Sequence, residues 1–121
     1  MLFRSLGAYA DDRLVGYACW GPTPGTAGTF DLYWIVVDPV RQGEGVGTRL
    51  LRAVEENLTT DNGRLIVVET SSRAAYAPTR AFYERRGYTQ AARLPGYYAP
   101  GDDLVIYLKD LTHGVLATAT A

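Results

Sequence analysis

The sequence predicts an α/β fold whose central sheet is mixed and largely antiparallel, with one strand–helix–strand unit set into it. Two observations predict it. Short runs rich in β-branched and aromatic residues, separated by turn residues, open and close the chain. Between them one long amphipathic helical pattern separates two apolar runs, and a crossover of that kind joins parallel strands with a right-handed turn. At 121 residues, 47% of them hydrophobic, the chain has the size of one domain and enough apolar side chain to bury a core.

Each element follows from local chemistry. Residues 6–9 and 14–20 are β-favouring runs parted by Asp11-Asp12-Arg13, which reads as a hairpin with a polar turn. The loop GPTPGTAG, residues 21–28, holds two prolines and three glycines and interrupts regular structure. FDLYWIVVD, residues 30–38, is the third strand. It is apolar on both alternating faces near its end, as expected of a central strand, and Pro39 biases Asp38 away from helix. From there Val46, Leu50, Leu51, Val54 and Leu58 lay one stripe along a helix, with Arg49, Arg52, Glu55 and Glu56 toward water, and Asp61-Asn62-Gly63 ends it. LIVVE, residues 65–69, is a short continuous apolar run, predicted to be a parallel strand covered on both faces. Pro78 and Gly87 bracket a second, short helix carrying APTRAFYERR. Residues 88–94 and 104–108 form a closing antiparallel hairpin, with a turn through Pro95, Gly96, Pro100 and Gly101. The domain is expected over residues 1–111 and a frayed tail over 112–121, with His113 incidental to function.

Composition excludes several classes. Twelve basic and 13 acidic residues give a net charge of −1, and no Lys/Arg block marks a nucleic-acid footprint. The single cysteine, Cys19, rules out an internal disulfide framework and a cysteine-based zinc site, and points to a reducing, cytoplasmic setting. No pair or trio of Cys, His and carboxylate has metal-ligand spacing, so no metal is predicted. No leader pattern opens the chain and no apolar run approaches a membrane span, so neither a membrane nor a nucleic acid is expected as partner.

The stretch DPVRQGEGVGTRLL, residues 38–51, places Gly43, Gly45 and Gly47 at alternate positions directly before the helix. The first turn of a helix presents unpaired N–H groups and the positive end of its dipole, so bare backbone there suits an anion. A P-loop needs Lys then Ser/Thr at the helix start, and Gly47-Thr48-Arg49 lacks that order; G-x-G-x-x-G is not met by glycines spaced by two. On these residues alone an anion seat and a purely structural turn both stand.

Gln42-Gly43-Glu44-Gly45-Val46-Gly47 fits Q/R-x-x-G-x-G/A and resembles the pyrophosphate-binding signature of the GNAT superfamily of acetyl-CoA-dependent N-acetyltransferases. The preceding IVVDP, residues 35–39, matches the strand end found there. AFYERRGY, residues 81–88, resembles that family's x-F/L-Y-E-x-x-G-F/Y helix, and GYYAPGDDLVIY, residues 96–107, resembles the final hairpin of several members. The resemblance implies a GNAT-like sheet splayed open at a coenzyme cleft, with acetyl-CoA as co-substrate and an amine acceptor. Backbone groups of Ile35, Val36 and Val37 would pair with the pantetheine arm as an added strand. Backbone N–H groups of Gln42, Gly43, Glu44, Gly45, Val46, Gly47 and Thr48 would cradle the pyrophosphate, with the Glu44 side chain turned outward. Arg41 and Arg80 would either meet the ribose phosphate or remain solvated surface.

For the chemistry, the family motif implies Tyr83 as proton donor to the departing thiolate; without the motif, a helical tyrosine beside Phe82 reads as packing. Glu69 sits where some members hold a catalytic carboxylate, Asp31 on the neighbouring strand is the runner-up, and a water chain is the third choice. Tyr97 and Tyr98 resemble the paired tyrosines with which protein N-terminal acetyltransferases grip a peptide backbone, with Asp102 and Asp103 drawing a cationic amine; a turn with an aromatic flank explains them equally. The family pattern also has a strand and two helices ahead of this hairpin, whereas five residues precede Leu6 here. The resemblance therefore implies an N-terminally shortened fold, exposed apolar surface and a homodimer. Three function classes follow: an N-acetyltransferase acting on a primary amine of a small molecule or a peptide or protein N-terminus, a non-catalytic acyl-CoA-binding or regulatory module, and a nucleotide-binding structural domain.

Overall fold

The computed structural model describes residues 3–112. His113 and nearly all of the expected tail lie outside the described residues. Six strands form one sheet: β1 (Arg4–Ala10), β2 (Arg13–Pro22), β3 (Thr29–Val37), β4 (Leu65–Ser71), β5 (Thr89–Ala99) and β6 (Asp102–Asp110). Their order is β1-β2-β3-β4-β6-β5. Only β3 and β4 run parallel; every other neighbouring pair is antiparallel. Helix α1 (Val46–Thr60) makes the crossover between them, and α2 (Ala77–Arg85) lies between β4 and β5. The mixed α/β architecture is the one predicted, with β3 central.

The first hairpin turns through Asp11 and Asp12, both at positive φ. That is the geometry of a two-residue turn whose twist matches its strands. The five apolar positions of the α1 stripe are the five buried residues of the helix. Leu51, Val54 and Leu58 pack with Ala18, Trp20, Leu32, Ile66 and Val68 in the main core, and Val46 and Leu50 pack with Val15 in a second cluster. Burying each such side chain contributes roughly 1.5–3 kcal/mol. The α1 stripe thus fixes which face of the sheet is the inside.

Two details of the sequence prediction need correction. β4 is covered on one face only: Ile66, Val68 and Thr70 are buried, but Val67 is half-buried and Glu69 is exposed. No helix lies over that second face among the described residues. The closing hairpin turns at Pro100 and Gly101 alone, because β5 continues past Pro95 and Gly96 to Ala99 through an irregular stretch in its pairing with β6. There the Gly96 N–H donates to Asp103 Oδ1 at 2.8 Å, so a side chain replaces the missing ladder bond.

The sheet opens where β3 and β4 part. Their register covers Thr29–Leu32 against Leu65–Val68 and stops there. Beyond it β3 continues to Val37 paired with β2 alone, and β4 continues to Ser71 paired with β6 alone. A bulge falls at the parting, since Cys19 opposes Trp34 and Trp20 opposes Leu32, leaving Tyr33 as the extra residue. Bulges bend and twist the strand that carries them, which swings the end of β3 away from β4.

Candidate functional site

A cavity of about 490 Å³ occupies the opening, walled by the end of β3, the first turn of α1 and one side of α2. Ile35 and Val37 line it from β3. The Asp38 N–H donates to Val15 O in β2 at 2.8 Å. Since N–H directions alternate along a strand, Val36 also faces β2, while Ile35 and Val37 present N–H and C=O groups to the open side. Two of the three strand residues singled out in the sequence therefore have backbone free for a ligand. Val36 instead holds β2, with an exposed side chain.

At the α1 start, Asp38 accepts from the Val40 N–H at 3.0 Å and so shapes a 3₁₀ turn over Pro39–Arg41. Gly43 and Gly45 follow at φ of 88° and 83°, a region costly for residues with a Cβ, and Gly45 is the N-cap. The first internal bond of the helix runs from the Arg49 N–H to Gly45 O. Among the described residues, the N–H groups of Gly43, Gly45, Val46, Gly47 and Thr48 donate to no protein acceptor. Gly47 has a different constraint: a Cβ there would meet Cε1 of Phe82 at 3.3 Å, so its absence lets α1 close on α2. Gln42, Gly43, Gly45, Val46, Gly47 and Thr48 all line the cavity. The N–H groups of Gln42 and Glu44 are taken by Pro39 O and Arg41 O, and the half-exposed Glu44 carboxylate pairs with Arg41 at 3.4 Å.

Tyr83 lines the cavity from α2 while only 5% of its surface is exposed. Its ring stands edge-on to Phe82 and Tyr88 at 5.2 and 5.3 Å, and burial pushes its phenol up to about 12. The group is protonated throughout the neutral range. Among the described residues its hydroxyl has no hydrogen-bond partner, which leaves its proton free for a ligand.

The remaining candidates lie apart from this cavity. Glu69 is the first β4 residue beyond the last pair with β3, exposed at the mouth of the opening. Asp31 opposes Val67 and so shares the Glu69 face of the sheet. Tyr97 and Tyr98 stand exposed in β5 with rings edge-on at 5.0 Å. Partial burial raises the Tyr98 pKa, followed by the nearby charges of Glu69, Tyr97, Asp102 and Tyr76, so these groups form one polar and aromatic cluster. Asp102 and Asp103 are partnered within the chain. Asp102 accepts from the Ser71 hydroxyl and pairs with Arg73 at 3.5 Å; Asp103 accepts from the Gly96 N–H and from Arg93 at 2.7 Å, which holds its carboxyl below the usual range. Asp102 thus latches the closing hairpin to β4, and the Asp103 carboxylate ties β6 to β5. Arg80 likewise donates to Ser71 O and Arg73 O, at 2.7 and 2.9 Å, and does not line the cavity. Arg86 does line it, and nothing in the spacing of AFYERRGY separates it from a solvated surface arginine.

The sequence pattern of the Acetyltransferase (GNAT) domain matches residues 3–90. The chain belongs to the GNAT family. The GNAT assignment extends to solved structures: a GNAT-family protein from Desulfovibrio desulfuricans superposes with a TM-score of 0.88 at 48% identity, covering 90% of this chain and 69% of that one. An aminoglycoside 6'-N-acetyltransferase solved with coenzyme A shares the GNAT fold at a TM-score of 0.80 and 22% identity, over 90% of this chain and 73% of that one. In sequence, the S-(2-succino)cysteine N-acetyltransferase of Bacillus subtilis (strain 168) is 32% identical over 72 residues, 60% of this chain. The matched region spans 44% of the length of that GNAT relative.

Proposed function

We propose that this chain is an acetyl-CoA-dependent N-acetyltransferase that moves an acetyl group to a primary amine on a small molecule or a peptide or protein N-terminus. One observation carries the reading. The unpaired edge at Ile35 and Val37 leads directly into five unpaired N–H groups at the α1 start, and both line a cavity that also holds the Tyr83 ring. An extended pantetheine arm suits the first of these, a diphosphate the second. The thioester supplies an activated acyl group. Ile35 and Val37 would bind the arm by strand-like pairing, and Gly43, Gly45, Val46, Gly47 and Thr48 would bind the diphosphate through N–H groups.

Tyr83 holds a proton for the departing sulfur. Its pKa, pushed up to about 12, stands above the ordinary thiol value of about 8.5, so complete transfer is uphill and its contribution is a hydrogen bond to developing negative charge. Glu69 or Asp31, directly or through water, accepts the proton that the amine must lose. Tyr97 and Tyr98 border the acceptor side. A second reading, coenzyme binding without turnover, draws on the fact that among the described residues no carboxylate lines the cavity.

Thermal stabilisation by acetyl-CoA, but not by NAD or ATP, is the expected first result. Thiol release with a panel of primary amines then separates the two readings, since binding without release for any amine favours the second. The reading also places the protein in the cytoplasm and pairs it as a homodimer through its exposed apolar surface, with Cys19 buried and free of any disulfide.

A further inference from the structure

Arg86 carries a charge that no carboxylate neutralises. From the C-cap of α2 its side chain folds back over the Phe82 ring, with the guanidinium carbon 3.9 Å from the ring centroid, and Nη1 donates to Phe82 O at 2.8 Å. Nε and Nη2 both donate to Thr48 Oγ1, at 3.0 and 2.5 Å. Both acceptors are neutral, and among the described residues no Asp or Glu pairs with it. A guanidinium has five N–H groups, so these three bonds leave two unused on a side chain that lines the cavity.

The sign of this charge is wrong for the helix it touches. Thr48 lies in the first turn of α1, where the dipole favours anions and disfavours cations. That turn contains no acidic residue. Two of its three hydrogen bonds hold it at that unfavourable end of α1, while the third, to Phe82 O, holds it at the C-terminal end of α2, where a cation is favoured; an anion at the α1 start would offset the first term. The bonds also restrict Thr48. A hydroxyl that accepts two N–H groups has both lone pairs filled and keeps only its proton to give. Thr48 is thereby left as a donor on the wall that carries the free N–H groups of Gly45, Val46 and Gly47.

We propose that Arg86 is a positioning residue of the anion seat: it supplies an unneutralised positive charge, leaves the Thr48 hydroxyl as a donor for a diphosphate, and fastens α2 to the first turn of α1. The inference rests on the coenzyme A reading of the cavity. Because Tyr83 lies one turn earlier on α2, the same fastening sets Tyr83 relative to the seat.

Isothermal titration of the full chain with coenzyme A and with 3′-dephospho-coenzyme A, at low and high ionic strength, tests it. Arg86→Gln should weaken both ligands alike, roughly tenfold or more, and reduce the salt dependence that wild type shows. Arg86→Lys keeps a charge but not the fork, so it should retain the salt dependence with intermediate affinity. Thr48→Val should weaken both ligands, and combining it with Arg86→Gln should cost less than the product of the two single effects. A structural role alone would shift the melting temperature without changing the salt dependence. Should Arg86→Gln fail to fold, Arg86→Lys and Thr48→Val still decide. Unchanged affinity in Arg86→Lys and Thr48→Val, wild-type salt dependence in Arg86→Gln, or a loss confined to coenzyme A and absent for the dephospho form, overturns the assignment. A wild-type chain that binds neither ligand refutes the coenzyme reading instead.

Discussion

At Tyr83 a single burial event serves packing and the proposed chemistry together. The ring fills the space between Phe82 and Tyr88, and the same loss of water keeps the phenol protonated. Tyr83→Phe keeps the ring and removes the proton, so turnover should fall about a hundredfold or more while coenzyme A affinity stays near wild type. Steady-state rates beside calorimetric titration read the two separately. The raised pKa also has a stability consequence. A phenol near 10 when unfolded and about 12 when folded contributes stability that is fully present below pH 10 and lost as pH rises through 12. Tyr88 is raised too, by burial first and then by its hydrogen bond to Glu55, so denaturation midpoints should fall above pH 10. That Tyr83 lines the cavity was legible in the sequence because a motif marks it, whereas Arg86 was not: its proposed role comes from a contact with Thr48 across 38 positions, which no local spacing encodes.

Helix α1 shows why elements are read more easily than their surroundings. Its stripe repeats at the helical period, so every apolar member predicted to face inward does so. Leu58 is fully buried, and Leu58→Ala should cost about 2–5 kcal/mol in chemical denaturation. Gly45 works by backbone alone: Gly45→Ala forces an L side chain into φ of 83°, and should cost about 1–2 kcal/mol and weaken coenzyme A binding together. The misread turn at Pro95 and Gly96 has the opposite origin. Those residues punctuate chains locally, but Asp103, on the partner strand, supplies a bond to Gly96 that lets β5 continue. Similarly the apolar run of β4 does not reveal that only one of its faces is covered, since coverage depends on which helices arrive there.

Across the whole molecule, the parting of β3 and β4 creates two unequal sides. On the α1 side lies the cavity; on the other, Tyr9, Leu14, Trp34 and Val36 remain substantially exposed, at 69%, 52%, 49% and 42%. Apolar surface of that kind favours self-association, so sedimentation at micromolar concentration should show a dimer, and a clean monomer would count against it. Both hairpins and the crossover were readable from element order, but the insertion of β6 between β4 and β5 was not, and the splay itself needs the bulge at Tyr33, which the apolar run of β3 conceals. Amide hydrogen exchange with and without coenzyme A tests the central claim most directly. The account predicts slowed exchange at Ile35, Val37, Gly43, Gly45, Val46, Gly47 and Thr48, with β5 and β6 unchanged. Binding that leaves those amides unprotected, or that protects the closing hairpin instead, would contradict it.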